Sequence, residues 1–394
     1  MKGVGSGEWG MGTRGRGAVL AGGKGENEKL LLSPLLPAPC SLLPASTSLS
    51  STPTPHSPKK NMRKLYFLLP GTDGKFACGG LWAELKTVNL VQQICNADVV
   101  TYRQREKGKQ FIDDLLQEKN LNDVIFVINW GFDVAELVPK LKQYNVVYHA
   151  HSAGYPFSLS ASIPIVTVSR YTMGYWGEKS PNSLIYYLPN QISDEFQNLS
   201  LERDIDVLVQ ARKSSEYLIK ELIPALQKRC QVFVVDSYVE DLPGLFNRAK
   251  VYLYDSAEYW AQQGVSEGFG LQPMEALACG CQVFSSVNGG LSDYLDPGFN
   301  CYKIAGYSQE YDVQRILKVL EFPVGVSLDE DFFAEYRTAN IIKRLKVILD
   351  ELNEFFDHKI QQPSNIKSLT KIRMAKLFVQ RIYGKLRTKY LKFK

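Results

Sequence analysis

No two cysteines of this chain stand in a C-x-x-C arrangement, and its four histidines keep no metal-ligand spacing with the seven cysteines. That argues against a structural zinc module. The odd cysteine set (Cys40, Cys78, Cys95, Cys230, Cys279, Cys281, Cys301) predicts a reducing, cytoplasmic compartment rather than a disulfide framework, and the Asn198-Leu199-Ser200 sequon carries little weight there. No apolar run reaches the roughly 18 to 20 residues that a membrane-spanning helix needs. Excess basic charge is missing from the centre of the chain. The net +5 comes from a tail, Pro363 to Lys394, with ten Lys plus Arg and no acid, and from a first stretch of 61 residues with seven basic and three acidic groups. Residues 62–362 are therefore net acidic, which argues against a nucleic-acid partner for the core.

Regular periodicity is also missing from residues 1–61, which are glycine-rich to about Gly25 and then run through Leu, Pro, Ser and Thr. They read as a disordered, dispensable leader or an upstream extension, with Met62-Arg63-Lys64 as the natural beginning. Gly5-Ser6-Gly7-Glu8-Trp9-Gly10 matches a dinucleotide fingerprint, but neither a preceding strand nor a following helix supports it.

From residue 62 on, short apolar runs alternate with amphipathic stretches. Strands are predicted at 64–69, 98–102, 124–129, 145–149, 164–168, 184–188, 205–210, 231–236, 250–254, 282–286 and 301–304. Helical spacing marks Leu81 to Cys95, Lys109 to Glu118, Val134 to Gln143, Tyr217 to Lys228 and Pro273 to Ala278. Alternating β and α over this length predicts an α/β protein of two doubly wound, Rossmann-like domains facing a cleft, 62–203 and 204–330, with carboxy-terminal helices at 331–362 and a basic amphipathic tail at 363–394.

What the chain does have is the run Ser266-Glu267-Gly268-Phe269-Gly270-Leu271-Gln272-Pro273-Met274-Glu275, continuing to Gly280. It sets two carboxylates eight positions apart, Glu267 on a glycine-loosened loop and Glu275 in the first turn of a helix expected to open at Pro273 and to close on a left-handed Gly280. A loop feeding a helix N-terminus presents free N–H groups to a polyphosphate. The strand-like Gln282 to Ser286 then leads to Gly289-Gly290. Earlier in the chain, Gly79-Gly80 follows the first strand, His149 and His151 end the fourth, and Arg212-Lys213 follows the seventh, where two cations could neutralise a diphosphate.

The run resembles the E-x7-E motif of retaining nucleotide-sugar glycosyltransferases with the GT-B fold. The resemblance extends from about Met62 to Glu354 and is strongest from Arg248 to Tyr302. It implies a hexosyltransferase in which Glu275 accepts hydrogen bonds from the ribose of a nucleotide-diphosphate sugar and Glu267 orients sugar hydroxyls. Gly268, Phe269, Gly270 and Leu271 would complete the donor site. His151, preferred over His149, would touch the donor sugar or its phosphate, while Arg212 and Lys213, with the N–H groups of Gly79-Gly80 and Gly289-Gly290, would stabilise the departing diphosphate. Ala211 replaces a glycine of the family pattern and Lys213 follows Arg212 without a spacer, so Arg212 transfers more securely and Lys220 is the reserve. Gln272 stands where the family usually has proline or a small residue. No cofactor and no obligatory metal are implied; His151 lacks a visible third metal ligand. The resemblance leaves the acceptor open, a sugar or a lipid-linked acceptor. The alternatives sharing this cleft are a GT-B nucleotide-sugar epimerase or phosphorylase, and a non-catalytic nucleotide-sugar-binding protein.

The tail repeats apolar residues (Ile366, Leu369, Ile372, Ala375, Val379, Ile382, Leu386, Tyr390, Phe393) every three or four positions among its cations. An apolar stripe with a basic remainder predicts docking on the cytoplasmic face of an anionic membrane, or packing of the stripe on the amino-terminal domain.

Overall fold

The computed structural model describes residues 62–391 apart from 77, 119 and 323–327. The leader 1–61 and its glycine fingerprint lie outside the described residues, as does Phe393 of the tail. Two parallel sheets carry the architecture. The first is seven-stranded, in the order β3-β2-β1-β4-β5-β6-β7, from Lys64–Leu69 (β1), Ala97–Thr101 (β2), Gln110–Phe111 (β3), Val124–Ile128 (β4), Asn145–Ala150 (β5), Ile165–Thr167 (β6) and Ile185–Tyr187 (β7). The second is five-stranded, in the order β12-β11-β10-β8-β9, from Ile205–Gln210 (β8), Val232–Val235 (β9), Ala249–Tyr254 (β10), Gln282–Ser285 (β11) and Tyr302–Lys303 (β12). Strands such as Val124–Ile128 are buried at every residue, because helices cover both faces of a parallel sheet.

Strand order reverses between β1 and β4 in the first sheet and between β8 and β10 in the second. Crevices at such switch points, outside the carboxyl ends of the strands, are where ligands bind in open α/β sheets. The segments leaving β1, β5, β8 and β10 carry nearly all the candidate residues.

Two local readings change. Lys109 to Glu118 is not one helix: Gln110–Phe111 pairs with Val100–Thr101 as an edge strand, and only Ile112–Leu115 is helical. Tyr217 to Lys228 winds wide at Leu218–Leu222, where the Ile223 N–H bonds the Leu218 carbonyl. Pro224 follows and has no N–H to continue the ordinary ladder.

The helix Thr338–Gln361 returns to the first sheet, burying Ile341, Leu345, Ile348, Leu349, Leu352 and Phe356 against Leu65, Phe67 and Val88. Arg63 fixes its far end, donating to Asn353 Oδ1 and to Asp357 Oδ1 at 2.7 Å. The final helix, Lys371–Leu391, behaves differently. Ile372, Leu377, Phe378, Val379, Ile382 and Leu386 are all exposed, so the stripe does not pack on the body of the protein.

Candidate active site

Glu267 precedes the helix Leu271–Ala278 and is buried, 7% exposed. Three donors converge on its Oε2: Trp260 Nε1 at 2.6 Å, Tyr254 OH at 2.7 Å and Ser256 Oγ at 3.2 Å. All three leave or follow β10, so the strand and the short helix Ala257–Gln262 lock one carboxylate oxygen and leave Oε1 for a ligand. Gly268 brings the first domain against this loop. A Cβ there would lie 1.6 Å from the His151 carbonyl oxygen, so only glycine lets the two backbones meet. Beside it the Ser266 N–H donates to the Ala153 carbonyl at 3.0 Å.

The helix opens at Leu271, not Pro273, with Gly270 as its left-handed N-cap. Its start is fixed by the tight loop, so Glu275 falls in the second turn rather than the first, and dipole stabilisation is weak there. The close is as expected: Cys281 N–H bonds the Ala276 carbonyl and Gly280 N–H the Leu277 carbonyl, at 2.9 Å each. Glu275 is 5% exposed and has no hydrogen-bond partner for its side chain among the described residues. Burial pushes its carboxyl up to about 7, against the pull of Lys86. Lys86, from the helix Gly79–Gln92 across the cleft, lies with Nζ 4.0 Å from Glu275 Oε1.

Other members of the expected donor set divide. The Phe269 ring is core, packed on Tyr294 and Tyr336 at 5.5 and 5.6 Å between centroids, which leaves only its backbone for a ligand. Gly289 and Gly290 are explained by the protein itself, since a Cβ on either would lie 2.2 or 2.0 Å from the carbonyl oxygens of Glu267 and Gly268. The Gly290 N–H is moreover spent on the Glu267 carbonyl at 2.8 Å, so of that pair only Gly289 can offer its N–H to a diphosphate. Gly79 and Gly80 face open space: a Cβ at Gly79 would meet nothing within 4 Å, and one at Gly80 only Cys78 Sγ at 4.0 Å.

At the end of β8 the two cations differ in setting. Lys213 holds a left-handed backbone, φ 67°, and its Nζ sits 4.6 Å from the centre of the Trp260 ring, the same ring that donates to Glu267. Lys213, Trp260 and Glu267 thus form one stack. Arg212 is exposed, and Lys220 is tied on the surface to Glu216 at 2.6 Å, away from this stack.

His149 and His151 project to the same side of β5, as alternation requires. Both reach one oxygen of Glu84, His149 Nδ1 and His151 Nε2 each 2.6 Å from Oε2. Glu84 is fully buried in the helix Gly79–Gln92. Burial alone would push its carboxyl up, but His149 above all, with His151, overrides that and holds it well below the usual range. The missing third group beside the histidines is therefore present. These are the described residues whose ligand atoms, within 4.8 Å of one another, could hold a metal ion. Two ligands on one zinc stand about 3.3 Å apart, whereas 2.6 Å is a hydrogen-bond length, so the trio as placed is a hydrogen-bonded one. The chain also contains two Asp-x-Asp pairs. Asp204 and Asp206 lie at the opposite, amino-terminal end of β8 and pair with Arg248 and Lys250, and Asp329 is the N-cap residue of the short helix Glu330–Phe333 in the carboxy-terminal segment, with Asp331 in its first turn.

Residues 189–333 match the family model described as glycosyl transferases group 1. A probable sucrose-phosphate synthase of Thermosipho melanesiensis is 28% identical over 206 residues, covering 51% of this chain, and the chain spans 41% of that relative's length. Among solved structures, a glycosyltransferase from Rickettsia africae matches 75% of this chain and 99% of its own, with a TM-score of 0.54 and 12% identity. The pneumococcal O-GlcNAc transferase GtfA, in complex with UDP and GlcNAc, matches 75% of this chain and all of its own, with a TM-score of 0.54 and 9% identity. At such identities the likeness is one of fold.

Proposed function

We propose that this chain, which has a GT-B fold and whose residues 189–333 match the glycosyl transferases group 1 model, is a retaining glycosyltransferase that moves a hexose from a nucleotide-diphosphate sugar to an acceptor at a membrane surface. One observation carries the reading. Glu275 is a buried carboxylate with no hydrogen-bond donor of its own, eight residues from Glu267, a buried carboxylate with three. A largely buried carboxylate without donors is disfavoured unless a ligand supplies them, and a ribose diol supplies two O–H groups.

Glu275 then holds the ribose and Oε1 of Glu267 takes a sugar hydroxyl. As the anomeric C–O bond breaks, its electron pair leaves on the diphosphate. Lys213, the Gly289 N–H and the open helix end at Gly79-Gly80 face that growing charge, with Arg212 beside them. Preorganised donors of this kind are worth about 2.7 to 4 kcal/mol each. The acceptor oxygen attacks the face the diphosphate leaves and passes its proton to the departing phosphate oxygen, which balances the transfer and retains configuration. The solved GtfA complex with UDP and GlcNAc supports a nucleoside diphosphate donor on this scaffold.

The membrane part of the reading rests on the helix Lys371–Leu391. Its apolar side chains from Ile372 to Leu386 are exposed, and the segment from Pro363 has ten cations and no acid, a combination that suits an anionic lipid surface. The described residues include no helix long and apolar enough to cross a membrane. Incubation with a panel of nucleotide sugars and a cell extract, followed by mass spectrometry, tests the reaction: a glycosylated product supports transfer, whereas an epimer or a sugar phosphate alone assigns the cleft to epimerisation or phosphorolysis.

A further inference from the structure

Glu84 takes no part in the transfer as described, yet it is a buried charge that burial alone would disfavour. An ionised carboxylate only accepts, so both nitrogens that reach its Oε2 must donate: His149 through Nδ1–H and His151 through Nε2–H. For His149 this fixes the ring deep in the fold, beside an apolar cavity of about 30 Å³, and its Nε2 has no partner. For His151 the consequence reaches the cleft. Its ring is 16% exposed, its backbone touches Gly268, and its Nδ1 has no partner among the described residues.

We propose that Glu84 is a positioning residue that locks His151 in the Nε2–H tautomer, so that the imidazole presents a bare Nδ1 lone pair to the donor site and reads a sugar hydroxyl rather than a phosphate oxygen. This rests on the glycosyltransferase reading for the ligand, but not for the tautomer. A neutral imidazole has one donor and one acceptor, and the hydrogen bond at one nitrogen decides the other. Here the donor side is consumed inside the protein. Burial and the nearby His149 ring, 4.4 Å away between centroids, favour the neutral form of His151 against the pull of Glu84. A lone pair accepts from an O–H group and repels phosphate oxygens, which also only accept. His151 thus discriminates between the two halves of a nucleotide sugar.

The test uses the full chain with ¹⁵N-labelled histidine, whose four residues give a spectrum simple enough to assign by loss of signals in His151→Asn. In the ligand-free wild type at neutral pH, His151 should show a protonated Nε2 and a bare Nδ1. In Glu84→Gln the amide offers a donor as well as an acceptor, so a second tautomer should appear, and kcat should fall by roughly ten-fold to a hundred-fold with a smaller change in the donor KM. A proton on Nδ1 of wild-type His151 overturns the proposal whatever the activity, as does a stoichiometric metal whose removal shifts both ring signals. Unchanged tautomer and kcat in a folded Glu84→Gln overturn the positioning role. Because the wild-type spectrum needs neither substrate nor turnover, it decides the tautomer even where the transferase reading fails.

Discussion

Lys86 Nζ and Glu275 Oε1 face each other at 4.0 Å across the cleft, one on the first helix of the amino-terminal sheet and the other on the helix after the Glu267 loop. The lysine is a partial match for a buried carboxylate. Glu275 still titrates near 7 because burial outweighs the attraction. Its folded pKa is thus raised above the unfolded value. Between the ordinary carboxylate range and about pH 7 the unfolded chain has lost this proton and the folded chain keeps it, so stability from this group falls as pH rises and levels off above pH 7. Glu275→Gln lacks that loss. In urea unfolding it should match the wild type near pH 4 and exceed it at pH 8, by up to about 3 kcal/mol. An equal pH slope in both proteins would contradict the assignment.

Lys213 pays for its place over Trp260 with a left-handed backbone, which costs a non-glycine residue on the order of 1 kcal/mol. Lys213→Gly should therefore raise stability by about that amount while turnover falls, since the ammonium is lost from the diphosphate side. A variant both less stable and fully active would show that the strain serves nothing here. Thermal unfolding together with steady-state rates reads both.

Trp260→Phe keeps an aromatic ring, smaller than the indole, and removes the N–H that makes the shortest of the three bonds to Glu267 Oε2. A hydrogen bond to a charged group contributes about 1.5 to 3 kcal/mol. Turnover is expected to drop by at least roughly ten-fold, with a smaller change in nucleoside diphosphate affinity, because on the proposed reading Glu275 and not Glu267 holds the nucleotide. A loss confined to nucleotide affinity would reverse the division of labour between the two carboxylates.

Vesicles containing acidic lipid should sediment the full chain but not a version ending at Gln362, and high salt should weaken the association, since exposed charges are screened within about 10 Å at 0.1 M ionic strength. Equal sedimentation of the two versions removes the membrane from the account and leaves the transfer chemistry intact.

The sequence was most legible where local spacing decides the structure. Glu267, Glu275 and the Gly280 cap come from one stretch of chain, and the strands that bury both faces announce themselves as apolar runs. It was least legible where a contact joins distant segments. Glu84 lies 65 positions from His149, so nothing local marks it out among the surface-type residues of an amphipathic helix. Lys86 is hidden for the same reason. The two-residue strand Gln110–Phe111 is too short for alternation to register, and the neighbouring Ile112 and Leu115 supply helical spacing that extends over it. The preference for Arg212 over Lys213 followed the family pattern; the left-handed turn that swings Lys213 onto Trp260 has no signature in residue type, because lysine is not a residue that favours positive φ.

Calorimetric titration of the wild type and Glu275→Gln with UDP, GDP and ADP at pH 6 and pH 8 tests the central claim most directly. If Glu275 is the nucleotide's acceptor, one nucleoside diphosphate binds the wild type, its affinity relative to the variant increases by roughly ten-fold between those pH values as the carboxyl loses its proton, and the variant binds weakly at both. Equal affinity of the two proteins for every nucleotide at pH 8 would contradict the account.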